Sequence, residues 1–437
     1  MSGILRRSVV AGRPVANFCA KRQLSSGGRS TQELIALEEK HGCHNYAPLP
    51  VALARGEGAK VWDVEGKEYL DFLSAYSAVN QGHCHPRIVA AMVDQAQTLA
   101  LTSRAFYNNI LGEYEEYVTG LLGYDKVLPM NTGVEGGESA IKLARRWAYV
   151  KKKVPDNQAV VLFAENNFWG RTMSAISSSS DPTCYTNFGP FMPGFELVEY
   201  DNLEALEDRF KSNPNIAAYM LEPIQGEFGV FVPSDGYLKG VRDLCTKYNV
   251  LMIADEVQTG LCRTGTMLAV DHENVRPDIV ILGKALSGGM YPVSAVLCDD
   301  DIMLNIKPGE HGSTYGGSPL ACRVAMESLK VLVEENLAEK SRKSGETFRA
   351  ALRDLQNDIG NDVVSIVRGR GLLNAMVIEP QGDKDATKLC LSMKERGLIA
   401  KPTHGNIIRF APPLVISDEE LQSGIKIIKE ATTDMFK

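Results

Sequence analysis

The sequence predicts an α/β protein whose larger part is a parallel β-sheet covered by helices on both faces. Between about residues 125 and 325, short apolar segments typical of buried strands alternate with segments of helical period. About the last hundred residues contain further strand and helix patterns, which predict a second, smaller α/β domain. The strand candidates of the larger part are DKVLPMN, AVVLFAE, IAAYMLEP, NVLMIAD, DIVILGK and SAVLCDD.

Three patterns outside the main alternation predict further elements. The segments AKVWDV and KEYLDFL, with a turn at Glu65-Gly66 between them, predict a β-hairpin. The segment HPRIVAAMVDQAQTLAL predicts a helix with Pro86 in its first turn. Residues 318–355 predict a long helical stretch.

The composition narrows the class of protein. Of 437 residues, 44% are hydrophobic and 23% are charged, which is usual for a globular protein. A net charge of -7 argues against a nucleic-acid surface, although a few arginines can still bind an anionic substrate. The nine cysteines include no CxxC pair, so we expect reduced thiols and no metal site. No apolar run approaches the roughly 20 residues of a membrane span, so no membrane partner is expected.

The first residues differ from the rest of the chain. Residues 1–32 contain five arginines, one lysine and several serines, and the first acidic residue is Glu33. This composition is typical of a mitochondrial presequence and predicts the mitochondrial matrix as the location. The alternative is a disordered basic tail on a cytoplasmic protein. The segment is excluded from the prediction of the fold.

Asp255 and Lys284 are the candidate catalytic residues. Asp255 ends the apolar segment VLMIA, and Lys284 follows the apolar segment Ile279–Leu282 after one glycine. Side chains at the carboxyl ends of neighbouring parallel strands meet at one edge of a sheet, where α/β proteins bind ligands. Pyridoxal 5'-phosphate needs such a pair, because a lysine amine binds its aldehyde carbon and a carboxylate pairs with its ring nitrogen. Each residue alone could equally be an ordinary surface or strand-end residue.

A glycine-rich turn is the candidate phosphate site. The segment MNTGVEGGE joins the first strand of the alternation to a helix, and its glycines leave backbone N–H groups accessible at the helix start. The helix dipole favours an anion there. We expect Gly133 and Val134 to contact the phosphate, although a tight turn without a ligand would also fit this pattern.

The segments DEVQTG and LGKALSGG, together with TGVEGGESAIK, NFWGRT and EPIQGEFGV, resemble the class III aminotransferases of fold type I. The resemblance covers the chain after Glu33. It implies a large domain with a mostly parallel seven-stranded sheet and a small domain built from both chain ends. The implied boundaries are 33–90 for the N-terminal segment of the small domain, 91–329 for the large domain and 330–437 for the rest.

The same resemblance assigns further cofactor contacts. Phe168 and Val257 would lie against the two faces of the pyridine ring, and Gln258 would bond to its hydroxyl oxygen. Ser313 and Thr314 would reach the phosphate of the partner subunit. The resemblance therefore implies a homodimer with shared active sites.

Within the family the resemblance is greatest to ornithine δ-aminotransferases, which implies a ping-pong transfer of the δ-amino group of L-ornithine to 2-oxoglutarate. Glu227 would cover Arg409 in the first half-reaction and release it in the second, when the arginine binds the α-carboxylate of 2-oxoglutarate. Three alternatives stay open: acetylornithine as the donor, 4-aminobutyrate as the donor, and a catalytically silent scaffold. The residues implied to bind the far end of the substrate and to select its length are Tyr46, Arg171 and Tyr76.

Overall fold

The structure is a computed structural model that describes residues 28–437. Most of the predicted presequence therefore lies outside the described residues. The strands are β1 (Leu53–Glu57), β2 (Lys60–Asp63), β3 (Glu68–Asp71), β4 (Lys126–Met130), β5 (Val160–Ala164), β6 (Phe195–Val198), β7 (Ile216–Leu221), β8 (Leu251–Asp255), β9 (Ile279–Leu282), β10 (Ser294–Cys298), β11 (Val364–Arg370), β12 (Leu373–Ile378), β13 (Leu398–Ile399), β14 (Lys401–Thr403) and β15 (Ile407–Phe410).

The helices complete three layers around the largest sheet. They are α1 (Thr31–His41), the single turn α2 (Ser74–Ser77), α3 (Pro86–Thr98), α4 (Leu111–Leu122), α5 (Gly133–Trp147), α6 (Met173–Ser177), α7 (Pro182–Tyr185), α8 (Leu203–Ser212), α9 (Tyr237–Tyr248), α10 (Asp300–Met303), α11 (Pro319–Glu334), α12 (Leu337–Ile359), α13 (Ala386–Glu395) and α14 (Asp418–Phe436). Within residues 28–437 no helix is long and apolar enough to cross a membrane.

The central sheet has seven strands in the order β4-β10-β9-β8-β7-β5-β6. β5, β6, β7, β8 and β9 pair in parallel, whereas β10 is antiparallel to both of its neighbours. The predicted mostly parallel α/β sheet is therefore confirmed. All six strand candidates form strands of this sheet, and β6 is the strand that the sequence reading missed.

Alternate residues of each central strand face opposite layers of helices. Val161 and Phe163 of β5 belong to one apolar cluster, which α5 completes. Leu162 and Ala164 of the same strand belong to a second, larger cluster. Because both faces are apolar, both must be covered, and the strands read as continuous apolar segments.

The helical stretch predicted for residues 318–355 is divided into α11 and α12. Asn336 stands at the break with φ +52°, a left-handed conformation that asparagine tolerates better than most residues. The predicted hairpin is confirmed as β2 and β3, which pair in an antiparallel register across Glu65-Gly66.

Two smaller sheets flank the central one. The first has the order β1-β2-β3-β13, so a strand from the C-terminal part pairs with the N-terminal hairpin. The second has the order β11-β12-β15-β14. The pairing of β13 with β3 joins the two chain ends, as a small domain built from both ends requires, and the exact domain boundaries stay a prediction.

Candidate functional site

Three ionisable side chains leave neighbouring strands at one edge of the central sheet. Asp255 is the last residue of β8, Glu222 follows β7 directly, and Lys284 follows β9 after Gly283. The strand order β9-β8-β7 makes these carboxyl ends adjacent. Lys284 has φ +41°, and a non-glycine residue in this region is held there by its surroundings, which is common at functional sites.

A cavity of about 230 Å³ opens at this edge. Of the nine residues predicted to contact the cofactor, the following seven line it: Gly133, Val134, Phe168, Asp255, Val257, Gln258 and Lys284. The lining also contains Glu222, Trp169 and Gly170, for which the sequence reading proposed no role. The structure therefore brings most of the predicted cofactor residues into one concave site, the usual form of a cofactor site.

The N-terminus of α5 forms one wall of the cavity. A capping box holds this end, in which Thr132 accepts from the Glu135 N–H and Glu135 accepts from the Thr132 N–H. Among the hydrogen bonds of residues 28–437, none uses the N–H of Gly133 or Val134. Two free donors at a helix start suit the phosphate of pyridoxal 5'-phosphate.

Burial controls the electrostatics of the catalytic pair. Burial raises the pKa of Asp255 to about 6, while the Val257 N–H, 3.0 Å from its Oδ1, and the charge of Lys284 act in the opposite direction. Burial also lowers the pKa of Lys284, and the nearby charges of Asp255 and Glu222 oppose that shift. An amine of lowered pKa beside a buried acid is the combination that the predicted cofactor requires, so these residues fit the group.

Glu222 is a buried acid that the sequence reading missed, although it lies in the quoted segment EPIQGE. Burial first and the charge of Asp255 second raise its pKa to about 8. Its two carboxyl oxygens accept from the N–H groups of Phe168 (2.9 Å) and Gly226 (3.3 Å). It therefore links the segment of the candidate ring-stacking residue Phe168 to the loop that carries Glu227.

Two side chains fix the shape of the cavity wall near Asp255. A methyl group on Gly133 would lie 2.9 Å from Val257 Cγ1, so α5 and Val257 pack without spare room. A methyl group on Gly226 would collide with the Gln258 side chain. Both glycines are therefore needed for close packing around the cavity.

Glu227 and Arg409 form an ion pair beside the cavity. Glu227 Oε2 accepts from Arg409 Nη1 at 2.7 Å, and the Arg409 side chain is 5% exposed. The charges of both residues influence the pKa of Lys284, which places the pair close to the amine. The Tyr76 ring lies over the guanidinium, with 5.0 Å between Arg409 Cζ and the ring centroid.

Tyr76 stands on an unusual turn. The four residues Ser74–Ser77 all have positive φ values, between +46° and +75°. The left-handed region costs a non-glycine residue about 1–2 kcal/mol, so surrounding contacts must hold this turn in place. A strained backbone at a candidate substrate residue marks the turn as part of the site.

The remaining predicted residues lie at the open side. Arg171 is exposed and its guanidinium carbon is 5.5 Å from the Phe168 ring centroid. Tyr46 is exposed and close enough to affect the pKa of Tyr76. Ser313 and Thr314 are not among the residues that line the cavity; Ser313 accepts from Asn131 Nδ2 at 3.0 Å, and Thr314 is exposed.

Comparisons with known proteins agree with this site. The chain is 66% identical to the mitochondrial ornithine aminotransferase of Drosophila melanogaster over 422 residues, which cover 96% of each chain. It is 61% identical to the mitochondrial ornithine aminotransferase of Rattus norvegicus over 426 residues, which cover 98% of this chain and 96% of that relative.

Solved structures share the fold over nearly the whole length. The ornithine aminotransferase of Toxoplasma gondii superposes with a TM-score of 0.90 at 49% identity and covers 93% of this chain and 96% of its own. An acetylornithine aminotransferase from Elizabethkingia anophelis superposes with a TM-score of 0.85 at 54% identity and covers 93% of this chain and 100% of its own. The predicted fold type is thereby confirmed. Because the family model "Aminotransferase class-III" also matches residues 42–432, the chain belongs to the class III aminotransferases.

Proposed function

We propose that this chain transfers the δ-amino group of L-ornithine to 2-oxoglutarate, giving glutamate 5-semialdehyde, which cyclises, and L-glutamate. The observation that carries the proposal is the ion pair of Glu227 and Arg409 beside the cavity. The names of the relatives from Drosophila melanogaster and Rattus norvegicus support the same substrate.

The ion pair explains how one site can accept two unlike substrates. Ornithine carries two amines, and an open Arg409 would bind its α-carboxylate and present the wrong amine. While Glu227 covers the guanidinium, the α-carboxylate is left to Arg171 and Tyr46 at the open side. 2-Oxoglutarate needs the guanidinium for its own α-carboxylate, and a bidentate carboxylate can displace Glu227. Arg171 then binds its distal carboxylate.

Pyridoxal 5'-phosphate, the cofactor of this family, would supply an electron-withdrawing ring next to the substrate carbon. Gly133 and Val134 would hold its phosphate, and Phe168 and Val257 would enclose its ring, with Gln258 at the ring hydroxyl. Asp255 would keep the ring nitrogen protonated. Lys284 would hold the aldehyde end before the substrate arrives, and its amine would then move the proton at the substrate δ-carbon.

The test is a steady-state comparison of amino donors with 2-oxoglutarate as acceptor. L-Ornithine should have the highest kcat/KM, and its cyclised product should be trapped. Higher kcat/KM with 4-aminobutyrate would contradict the proposal. N-Acetylornithine is the second candidate donor, because the acetylornithine aminotransferase of Elizabethkingia anophelis is 54% identical to this chain. The acetyl group removes the positive charge of the α-amine, so the two donors differ where Tyr46 and Arg171 lie.

We also propose that the active form is a homodimer in which Ser313 and Thr314 complete the partner's phosphate site. Their position outside the cavity of their own chain supports this proposal. Exposed aromatic side chains at Phe106, Tyr107 and Tyr315 suit an interface. Mixing inactive Lys284→Ala chains with Thr314→Ala chains should restore one complete site in each hybrid dimer. A mixture with no more activity than the separate variants would refute the sharing.

For the location we propose the mitochondrial matrix. The basic, acid-free composition of residues 1–32 supports it, as do the names of the relatives from Drosophila melanogaster and Rattus norvegicus. A fluorescent protein fused after residue 32 should enter mitochondria, and the same fusion with the segment's arginines changed to glutamine should not. A cytoplasmic signal from the first fusion would contradict the proposal.

A further inference from the structure

A second acid–base pair, Asp71 and His83, lies outside the cavity and holds the turn that carries Tyr76. We propose that Asp71 and His83 are positioning residues, which fix the Tyr76 ring over Arg409 and thereby set the length of amino donor that the pocket accepts. The inference rests on the function proposed above and concerns the choice among its donors.

Asp71 is joined to the turn through its backbone. It is the last residue of β3 and is buried, with 4% of its surface exposed. Its Oδ1 accepts from the N–H groups of Leu73 (2.8 Å) and Ser74 (2.9 Å). Its Oδ2 lies 2.7 Å from His83 Nε2. One carboxylate therefore connects the entry of the turn to an imidazole ten residues further along the chain.

His83 is itself held on the N-terminal hairpin. Its N–H donates to the Gly58 carbonyl (2.8 Å), and the Gly58 N–H donates to the His83 carbonyl (3.1 Å). A methyl group on Gly56 would lie 2.8 Å from the His83 Cβ, so the side chain packs directly on β1. The imidazole thus gives Asp71 a fixed partner on the hairpin.

The turn has little other support from side chains. The hydroxyls of Ser74 and Ser77 are buried, and neither has a hydrogen-bond partner among the described residues. Within residues 28–437, the side-chain hydrogen bonds to the backbone of residues 73–78 both come from Asp71. Four successive left-handed residues need external contacts to persist, and Asp71 supplies the polar ones. Loss of the pair should therefore release the turn and let the Tyr76 ring leave the guanidinium.

The experiment compares Asp71→Ala and His83→Gln with a matched control, His85→Gln. His85 Nε2 lies 3.0 Å from Glu335 Oε1, so the control breaks a similar pair that does not touch the turn. We measure kcat and KM for L-ornithine and for 4-aminobutyrate, and amide hydrogen exchange in residues 72–79. Because hydrogen bonds to a charged group are lost, Asp71→Ala should lower the ornithine preference about tenfold. The change should come mainly from the KM of ornithine, with faster exchange of the turn.

His83→Gln should act in the same direction with a smaller effect, and His85→Gln should change neither quantity. Asp71→Asn, which can still accept from both N–H groups, should keep most of the preference. An unchanged donor preference in Asp71→Ala and His83→Gln overturns the inference, whether or not the exchange rate rises. If Asp71→Ala does not fold, His83→Gln decides. A parent enzyme that does not use ornithine refutes the proposed function instead, and the amide exchange then still tests whether the pair holds the turn.

Discussion

Glu227 is the side chain whose change should alter substrate choice most directly. In Glu227→Gln the 2.7 Å contact to Arg409 Nη1 loses its charge. A hydrogen bond between charged groups contributes about 1.5–3 kcal/mol, and the lower half applies because Glu227 is partly open to water. Its side chain is 30% exposed, compared with 5% for Arg409. The variant should therefore leave a buried guanidinium without its neutralising partner.

Two opposite kinetic changes should follow from this loss. 2-Oxoglutarate would no longer have to displace a carboxylate from Arg409, so its KM should fall by about tenfold, one factor of ten for each 1.4 kcal/mol. Ornithine would meet an open guanidinium that attracts its α-carboxylate and turns its δ-amine away. Its kcat/KM should fall by about the same factor.

The assay measures each half-reaction separately by stopped-flow absorbance of the bound cofactor. The matched control is Glu334→Gln, because Glu334 Oε2 is also 2.7 Å from an arginine, Arg87 Nη1, and is not among the residues lining the cavity. The control should leave both half-reactions unchanged. If Glu227→Gln changes the two half-reactions in the same direction, the pair is not a switch between substrates.

Three further changes test other parts of the structure. Lys284→Ala should abolish the absorbance of covalently bound cofactor and lower kcat by more than the roughly 10²–10⁴ that a placed base contributes; near-normal turnover would refute its role. Burial raises the pKa of Glu222 from 4.5 to about 8, so ionisation of this buried acid destabilises the folded state. The free energy of unfolding of Glu222→Gln, measured in urea without cofactor, should therefore improve relative to the parent between about pH 5 and about pH 8.5, and a constant difference would contradict the shift. Arg263 is fully buried and donates to Asn80 and to the carbonyls of Leu372 and Pro412. Arg263→Met should therefore lower the free energy of unfolding by roughly 2–5 kcal/mol, and a loss below about 0.5 kcal/mol would refute the reasoning.

Most of the fold could be predicted because buried parallel strands leave a clear apolar signal. β6 was missed because it is the edge strand of the sheet and most of its residues are only partly buried, so its apolar signal is weak. The direction of β10 could have been inferred from its connection. Residues 283–293 separate β9 from β10, and a parallel crossover needs a dozen or more residues and usually a helix.

The candidate site was predicted unevenly for a physical reason. Residues within one motif, such as Gly133 and Val134, are fixed by local backbone geometry, so the sequence locates them. Glu222 acts through contacts with Phe168 and Gly226, which come from separate segments of the chain. Its importance follows from the adjacency of β7 and β8, which a single sequence does not reveal. Asp71 was missed for the same reason, because its partner lies on a different element.

The charges of the site also explain why its acids are buried together. The pKa of Asp255 is raised to about 6 and that of Glu222 to about 8, and the charge of Asp255 contributes to the second shift. At neutral pH, Asp255 is therefore mostly ionised and Glu222 mostly protonated. Glu222 can thus hold two backbone N–H groups without adding a full second charge beside Lys284. The single remaining charge on Asp255 is then available for a cation, such as a protonated ring nitrogen, and Lys284 keeps the lowered pKa that a base needs.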